Sequence, residues 1–231
     1  MLANLTMNFD LFSNITPRVE RKYLIDYITI EEILTRIYFN PLGFREEYPP
    51  RYIYSLYLDT GQLSCAQAVL DGLAERFKIR WRWYDQALPK SKVQLEIKLR
   101  KNLNIYKKIM PVYLHKPLRV EKFIEKQPYF ADKFDNELKS TLKLLLPSVF
   151  SSYLRYYLID VKNKIRLTLD TYLRYKNIGH STASLMQTEP SDSIILELKY
   201  HPYENKLAQQ TISNLPLRLS KHSKYIQGVF S

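Results

Sequence analysis

The stretch Arg76-Phe77-Lys78-Ile79-Arg80-Trp81-Arg82-Trp83-Tyr84 decides the fold. Successive side chains of a β-strand point to opposite faces, so one face carries Arg76, Lys78, Arg80 and Arg82 and the other Phe77, Ile79, Trp81 and Trp83. A helix would scatter the same residues around its whole surface. A half-buried strand normally turns a solvated polar face to water, but such faces mix their charges, because like charges side by side repel. Four cations in succession with no acid between them call for something anionic opposite.

The same parity recurs elsewhere. Gln94, Glu96, Lys98 and Arg100 alternate with Leu95, Ile97 and Leu99; Lys164, Arg166, Thr168 and Asp170 alternate with Ile165, Leu167 and Leu169. Glu197 and Lys199 alternate with Leu196 and Leu198, Tyr153, Arg155 and Tyr157 with Leu154, Tyr156 and Leu158, and Glu20 and Lys22 share one face of 18–26. Tyr52–Asp59 and the less regular Ile105–Val112 complete a set of about eight strands, the number at which a closed barrel holds side chains or one small ligand. Thr29 and Glu32 form a capping box that opens a helix to Phe39. Further helices are expected over Asn136–Leu146, Glu121–Lys126, Pro202–Asn214 and Leu219–Val229, with loops at Pro41–Pro50 and Asn177–Ser191. The expected class is therefore α+β: an eight-stranded antiparallel barrel with a charged interior, its apolar faces turned outward under helices. Residues 1–17 read as an N-terminal extension and 18–231 as one domain.

Composition supports this reading. The 231 residues are 45% hydrophobic and 13% aromatic, which is globular, and Lys plus Arg exceed Asp plus Glu by 35 to 23, a net charge of +12. A single cysteine, Cys65, rules out an intramolecular disulfide or a cysteine-based zinc site and fits a reducing compartment. With five glycines, neither G-x-G-x-x-G nor G-x-x-x-x-G-K-[ST] can be written, so any bound phosphates must be held by side chains. The first 17 residues contain no Lys or Arg and are interrupted by Asp10, unlike a secretory leader. No apolar run reaches the 18 residues of a spanning helix, so a cytoplasmic location is expected.

Inward cations are untenable without anions, since an uncompensated buried charge costs several kcal/mol. The inward acids (Glu20, Glu96, Asp170, Glu197) are too few to neutralise them, which makes the missing partner a polyanion. Arginine forks and lysine ammonium groups suit a chain of phosphates. Carboxylates among such cations suit Mg²⁺ or Mn²⁺, which keeps substrate phosphates among its ligands, or serve as internal salt bridges. His115, His180, His201 and His222 form no motif and read as surface or loop residues; Cys65 reads as a buried thiol, and Trp81 and Trp83 as core aromatics.

Six segments in order, Glu20-Arg21-Lys22-Tyr23, Ser55-Leu56-Tyr57-Leu58-Asp59-Thr60, Lys78–Tyr84, Leu95-Glu96-Ile97-Lys98, Leu196-Glu197-Leu198-Lys199 and Ser223-Lys224-Tyr225, resemble the VTC domain, the catalytic domain of the vacuolar transporter chaperone polyphosphate polymerase. That family belongs to the triphosphate tunnel metalloenzymes, with the CYTH proteins and fungal-type RNA triphosphatases. The resemblance, over about Arg18 to Gly228, implies an eight-stranded tunnel. It implies Lys22, Lys78, Arg80, Arg82, Arg166 and Lys199 as catalytic cations, with Lys98, Arg100, Arg155, Lys221 and Lys224 binding substrate. Glu197 becomes the main metal ligand, with Glu96 and Glu20 as further ones, for Mn²⁺ or Mg²⁺. Arg18 stands where CYTH proteins carry the first glutamate of Glu-x-Glu-x-Lys, which favours the VTC branch. The implied activity is phosphoryl transfer, with polyphosphate synthesis from ATP foremost. The alternatives are a tunnel triphosphatase, acting on tripolyphosphate or nucleoside triphosphate, and a non-catalytic polyanion- or nucleic-acid-binding module. The expected partners are ATP and phosphate chains rather than nucleic acid. No inositol-phosphate-sensing domain precedes the tunnel segment and no membrane segment follows it, so product translocation would fall to a membrane protein in another chain.

Overall fold

The computed structural model describes residues 19–26, 28–87, 89, 92–102, 104–131, 134–178, 189–213, 215, 217–220 and 222–230. The extension at 1–17, Arg18, His180 and Lys221, and most of the expected 177–191 loop lie outside the described residues. The strands are β1 (Val19–Ile25), β2 (Arg45–Asp59), β3 (Glu75–Tyr84), β4 (Lys92–Lys101), β5 (Asn104–Tyr113), β6 (Leu146–Ile159), β7 (Ile165–Asn177), β8 (Ile194–Tyr200) and β9 (Arg218–Leu219). The helices are α1 (Ile30–Tyr38), α2 (Ser64–Leu70), α3 (Val120–Ala131), α4 (Asn136–Lys143), α5 (Asn205–Ile212) and α6 (Lys224–Val229).

All the strands join one antiparallel sheet in the order β5-β4-β3-β2-β6-β7-β8-β1-β9. Eight of them form the curled tunnel wall, and β9 adds a two-residue edge on β1, at Tyr23 and Leu24. The expected closure by a continuous ladder is not observed: β5 and β9 do not pair. Curling instead brings β4 to β1 across the interior, where Lys98 Nζ meets Glu20 Oε2 at 2.5 Å.

The core lies outside the sheet, as the strand parity dictates. Ile79, Trp81 and Trp83 of β3 and Val93, Leu95, Ile97 and Leu99 of β4 pack under α3 and α4 through Phe123, Leu138 and Leu142. On the other side Leu167 and Leu169, with Leu196 and Leu198, pack under α1 and α5 through Ile33, Ile37 and Ala208. Each fully buried side chain of this size contributes roughly 1.5–3 kcal/mol. Trp81 and Trp83 are sealed from solvent. The capping box on α1 forms in both directions, Glu32 N to Thr29 Oγ1 at 3.2 Å and Thr29 N to Glu32 Oε2 at 3.0 Å.

Several expectations need correction. The segment read as a loop at Pro41–Pro50 enters β2 at Arg45 and pairs with β6, with register shifts between Glu46 and Tyr48 and between Tyr48 and Arg51 that accommodate Pro49 and Pro50. The helix from Asn136 stops at Lys143, because β6 begins at Leu146 and takes up Pro147 near its first residue. The tail is not helical from Leu219; Ser223 caps a helix that starts at Lys224. Helix α2 went unread because no side chain at its own N-cap, Leu63, accepts a bond; Asp59 does so from β2, taking the amides of Cys65 (2.8 Å) and Ala66 (2.9 Å).

Candidate functional site

The polar side chains on the inner sheet face fall into three ionic groups. The first centres on Glu96 of β4. Its Oε2 accepts from Arg80 Nη2 at 2.6 Å and Arg80 Nε at 2.8 Å, while Oε1 accepts from Lys107 Nζ at 3.0 Å and Arg82 Nη1 at 3.4 Å. The register explains this, since Arg80 stands directly opposite Glu96 in the β3–β4 ladder. Arg80 also donates to Tyr57 Oη (2.9 Å) and Arg82 to Tyr153 Oη (3.0 Å). Burial alone would raise the Glu96 carboxyl; Arg80, Arg82 and Lys107 overcome it and hold the group well below the usual carboxylate range. Burial likewise favours a neutral Tyr57 phenol, and the adjoining Arg80, Arg82 and Lys224 reverse it, leaving the phenol below its ordinary value.

The second group centres on Asp170 of β7. Arg155 grips it with both fork nitrogens, Nε to Oδ1 at 2.5 Å and Nη2 to Oδ2 at 2.7 Å, and Lys224 Nζ reaches Oδ2 at 2.6 Å. Helix α6 thus delivers a cation into the tunnel, and Ser223, its N-cap, accepts from Lys78 Nζ at 2.8 Å. Tyr225 anchors the same helix by donating to Asp59 Oδ2.

The third group is looser. Glu197 of β8 lies directly across from Lys22 of β1 and has contacts of 3.4 Å to Lys199 Nζ and 3.8 Å to Arg155 Nη2. Burial opposes its ionisation, yet Lys199, Lys22, Arg155 and Lys98 keep it well below the usual range. The lysines bear the reverse strain. Burial, with Lys22, Lys98, Arg80 and Arg76 nearby, lowers Lys78 to about 7. Burial lowers Lys107 to about 8 despite Glu96, and lowers Lys22 and Lys224 as well.

The structure therefore brings together Lys22, Lys78, Arg80, Arg82, Lys98, Arg155, Lys199 and Lys224, with Glu20, Glu96 and Glu197, on the inner face. Two other sites read from sequence lie apart, and a third cannot be placed. Arg166 is exposed at the rim and pairs with Glu47 at 2.5 Å, because β7 has only just entered the sheet there. Arg100 bonds the carbonyl of Asn102 at the β4–β5 turn (2.9 Å). Lys221 lies outside the described residues.

Lys107 and His222 are among the inner residues that were missed. Lys107 sits opposite Lys98 in the β4–β5 ladder; the adjacent Lys108 and nearby Pro111 blur the alternation that would have exposed it. His222, read as a surface or loop residue, is half-buried 3.5 Å from Tyr175 Oη. Burial, with Lys224 and Lys22 nearby, lowers it to about 4, so it is neutral at pH 7. The interior also has an apolar layer, Ile53, Tyr153, Leu173, Tyr175 and Ile195, of which the parity argument had set only Tyr153 on the face of Arg155.

Among the described residues no three His, Cys, Asp or Glu side chains converge as a ready-made metal cage. The donor set fits a divalent ion in another way. Glu96 and Asp170 are saturated at short range, whereas Glu197 keeps only its longer contacts, and Mg²⁺ or Mn²⁺ needs one or two carboxylates when substrate phosphates complete its shell.

A curled antiparallel sheet with its core outside and its charges inside defines the tunnel class of α+β proteins. The profile of the VTC domain matches residues 17–231, and the chain belongs to that family. Among solved structures, a "putative adenylate cyclase" of Bacillus halodurans superposes with a TM-score of 0.57 at 14% identity, over 94% of this chain and 98% of that one. Another protein of the same description, from Vibrio parahaemolyticus, gives 0.54 at 9% identity, over 94% of this chain and 100% of that one. These likenesses speak for the fold. No curated protein sequence matches the chain. No helix among the described residues is long and apolar enough to cross a membrane.

Proposed function

We propose that the protein transfers phosphoryl groups along a phosphate chain held in its tunnel, most specifically that it extends polyphosphate from ATP with Mn²⁺ or Mg²⁺. The observation that carries this reading is the excess of inner-face cations over inner-face carboxylates. Lys22, Lys78, Arg80, Arg82, Lys98, Lys107, Arg155, Lys199 and Lys224 face Glu20, Glu96, Asp170 and Glu197, and burial first, then the neighbouring cations, lowers Lys22 and Lys78. A phosphate chain supplies an anionic partner for that excess.

In this reading Lys78, Arg80 and Arg82 hold the triphosphate, and Glu96 serves as the fixed counter-ion that aims both guanidinium forks rather than as a metal ligand. Glu197 would hold the divalent ion, which neutralises charge on the reacting phosphates. Lys22, Lys199, Arg155 and Lys224 guide the acceptor chain. Transfer then proceeds by positioning and charge neutralisation, with little need for a general base; His222, already neutral and beside cations, is not given that role. Trp81 and Trp83 are sealed under α3 and cannot stack bases among the β3 cations, which counts against a nucleic-acid sheet.

The test is incubation with γ-labelled ATP and Mn²⁺ or Mg²⁺, products being resolved by gel and thin-layer chromatography. Long labelled phosphate chains, lost on Glu197→Gln, are expected. Release of inorganic phosphate alone would assign a triphosphatase, and equal turnover by Glu197→Gln would remove the metal assignment.

A further inference from the structure

The helices among the described residues do not cover the outer face of the sheet throughout. One helix layer, α3 and α4, covers β3 and β4, and the other, α1 and α5, covers β7, β8 and β1. Between them, over β2, β6 and β7, lies a broad, half-open depression of about 720 Å³ beside the start of α3. Pockets of roughly 300–1,000 Å³ with a few converging polar groups are the usual small-ligand sites.

Its floor is aromatic and flat. Tyr54 stacks on Tyr52 (ring centroids 6.3 Å, 27° between planes) and on Phe150 (6.3 Å, 19°), and Tyr52 is 43% exposed. These rings point outward because their neighbours Ile53 and Ser55 point inward. Its lip is a built irregularity. The β6–β7 register slips between Ser152 and Leu154, and Tyr172, in the extra stretch of β7, is held at φ +52°, half-exposed. A bulky residue at positive φ is a rare and costly conformation that folds retain mainly at functional sites. Two guanidinium groups, Arg119 and Arg174, line the depression against one carboxylate, Glu121, and neither arginine has an ion-pair partner among the described residues.

A flat aromatic floor beside two uncommitted arginines matches a planar heteroaromatic ring that carries an anionic group. We infer that this outer depression is a second ligand site, distinct from the tunnel, for a nucleoside monophosphate, its base stacking on Tyr52 and its phosphate held by Arg119 and Arg174. It lies on the opposite face of the sheet from Arg80 and Arg82 and does not rest on the tunnel reaction. Two arginines suffice for one phosphate, so the site needs none of the tunnel's triphosphate grip.

The probe is AMP, titrated calorimetrically in EDTA with the tunnel saturated by tripolyphosphate. Saturable one-to-one binding is expected. Tyr52→Ala and Arg174→Ala, both at exposed positions, should each weaken it about tenfold without shifting the melting temperature, in line with base-on-aromatic stacking and a charged hydrogen bond. Ribose 5-phosphate, which has the phosphate but no base, should bind about tenfold more weakly than AMP. No binding at millimolar AMP, displacement of AMP by tripolyphosphate, or unchanged affinity in both variants would overturn the proposal.

Discussion

Lys98 on β4 and Glu20 on β1 form a 2.5 Å ion pair between strands that share no hydrogen bond, and this pair spans the tunnel where the ladder is open. Both side chains are partly exposed, so the pair itself contributes about 0.2–1 kcal/mol. Glu20→Gln should lower the melting temperature by a few degrees at most. In EDTA the variant should bind tripolyphosphate at least as well as the parent, because Lys98 is released for the ligand. A calorimetric titration checks this; tenfold weaker binding would show that Glu20 orients the cations rather than occupying one.

Glu96 is the opposite case, a buried carboxylate with three cationic partners. Removing one member of a buried ionic group leaves the others uncompensated, typically at 3–5 kcal/mol. Glu96→Gln should therefore melt roughly 10 °C lower, on the scale of 2–4 °C per kcal/mol for a chain of this size. Saturating tripolyphosphate should restore much of that loss, since it supplies the missing anion. Differential scanning fluorimetry with and without the ligand measures both effects.

The lowered lysines set a pH dependence. Lys78 at about 7 and Lys107 at about 8 lie below the lysine value of the unfolded chain, so from pH 7 to 10 the unfolded state binds more protons. Their contribution makes the empty protein more stable as pH rises through that window. Phosphate has the reverse effect, because it favours the protonated ammonium groups. Tripolyphosphate affinity should fall from pH 6.5 to pH 9, with proton uptake on binding at pH 8, seen as a calorimetric enthalpy that depends on the buffer.

Helix α6 is seated against β6 through Gly228, where an added Cβ would lie 2.2 Å from Val149 Cγ1 and 3.3 Å from Tyr175 Cδ1. Val149 is fully buried and cannot yield. Gly228→Ala should displace α6 and cost about 1–3 kcal/mol. Because the same helix carries Lys224 to Asp170 and Ser223 to Lys78, tripolyphosphate binding should weaken together with stability. Denaturant unfolding and a ligand titration on the same variant check the coupling.

The fold and the inner-face placement of much of the candidate site were legible in sequence for one physical reason: strand parity separates inside from outside, and β3 and β4 hold that parity over their whole lengths. Legibility failed where parity breaks. Positive φ at Tyr172 resets the alternation of β7, so that Leu173 and Tyr175 follow Asp170 inward and build the apolar layer. The capping of α2 by Asp59 and the insertion of His222 beside Tyr175 are contacts between residues distant in sequence, which no local pattern encodes. The pairing of Arg166 with Glu47 depends on a stretch of β2 masked by two prolines.

The central claim is that the inner cations hold a phosphate chain. It is tested most directly by titrating tripolyphosphate, in EDTA, into the parent and into the double variant Lys22→Ala/Lys78→Ala. Neither lysine forms an ion pair with a carboxylate among the described residues, so their loss leaves the Glu96 and Asp170 groups intact. The account predicts one saturable site in the parent, weakened at least tenfold in the double variant and raising the parent's melting temperature. Undiminished binding by the double variant would contradict it.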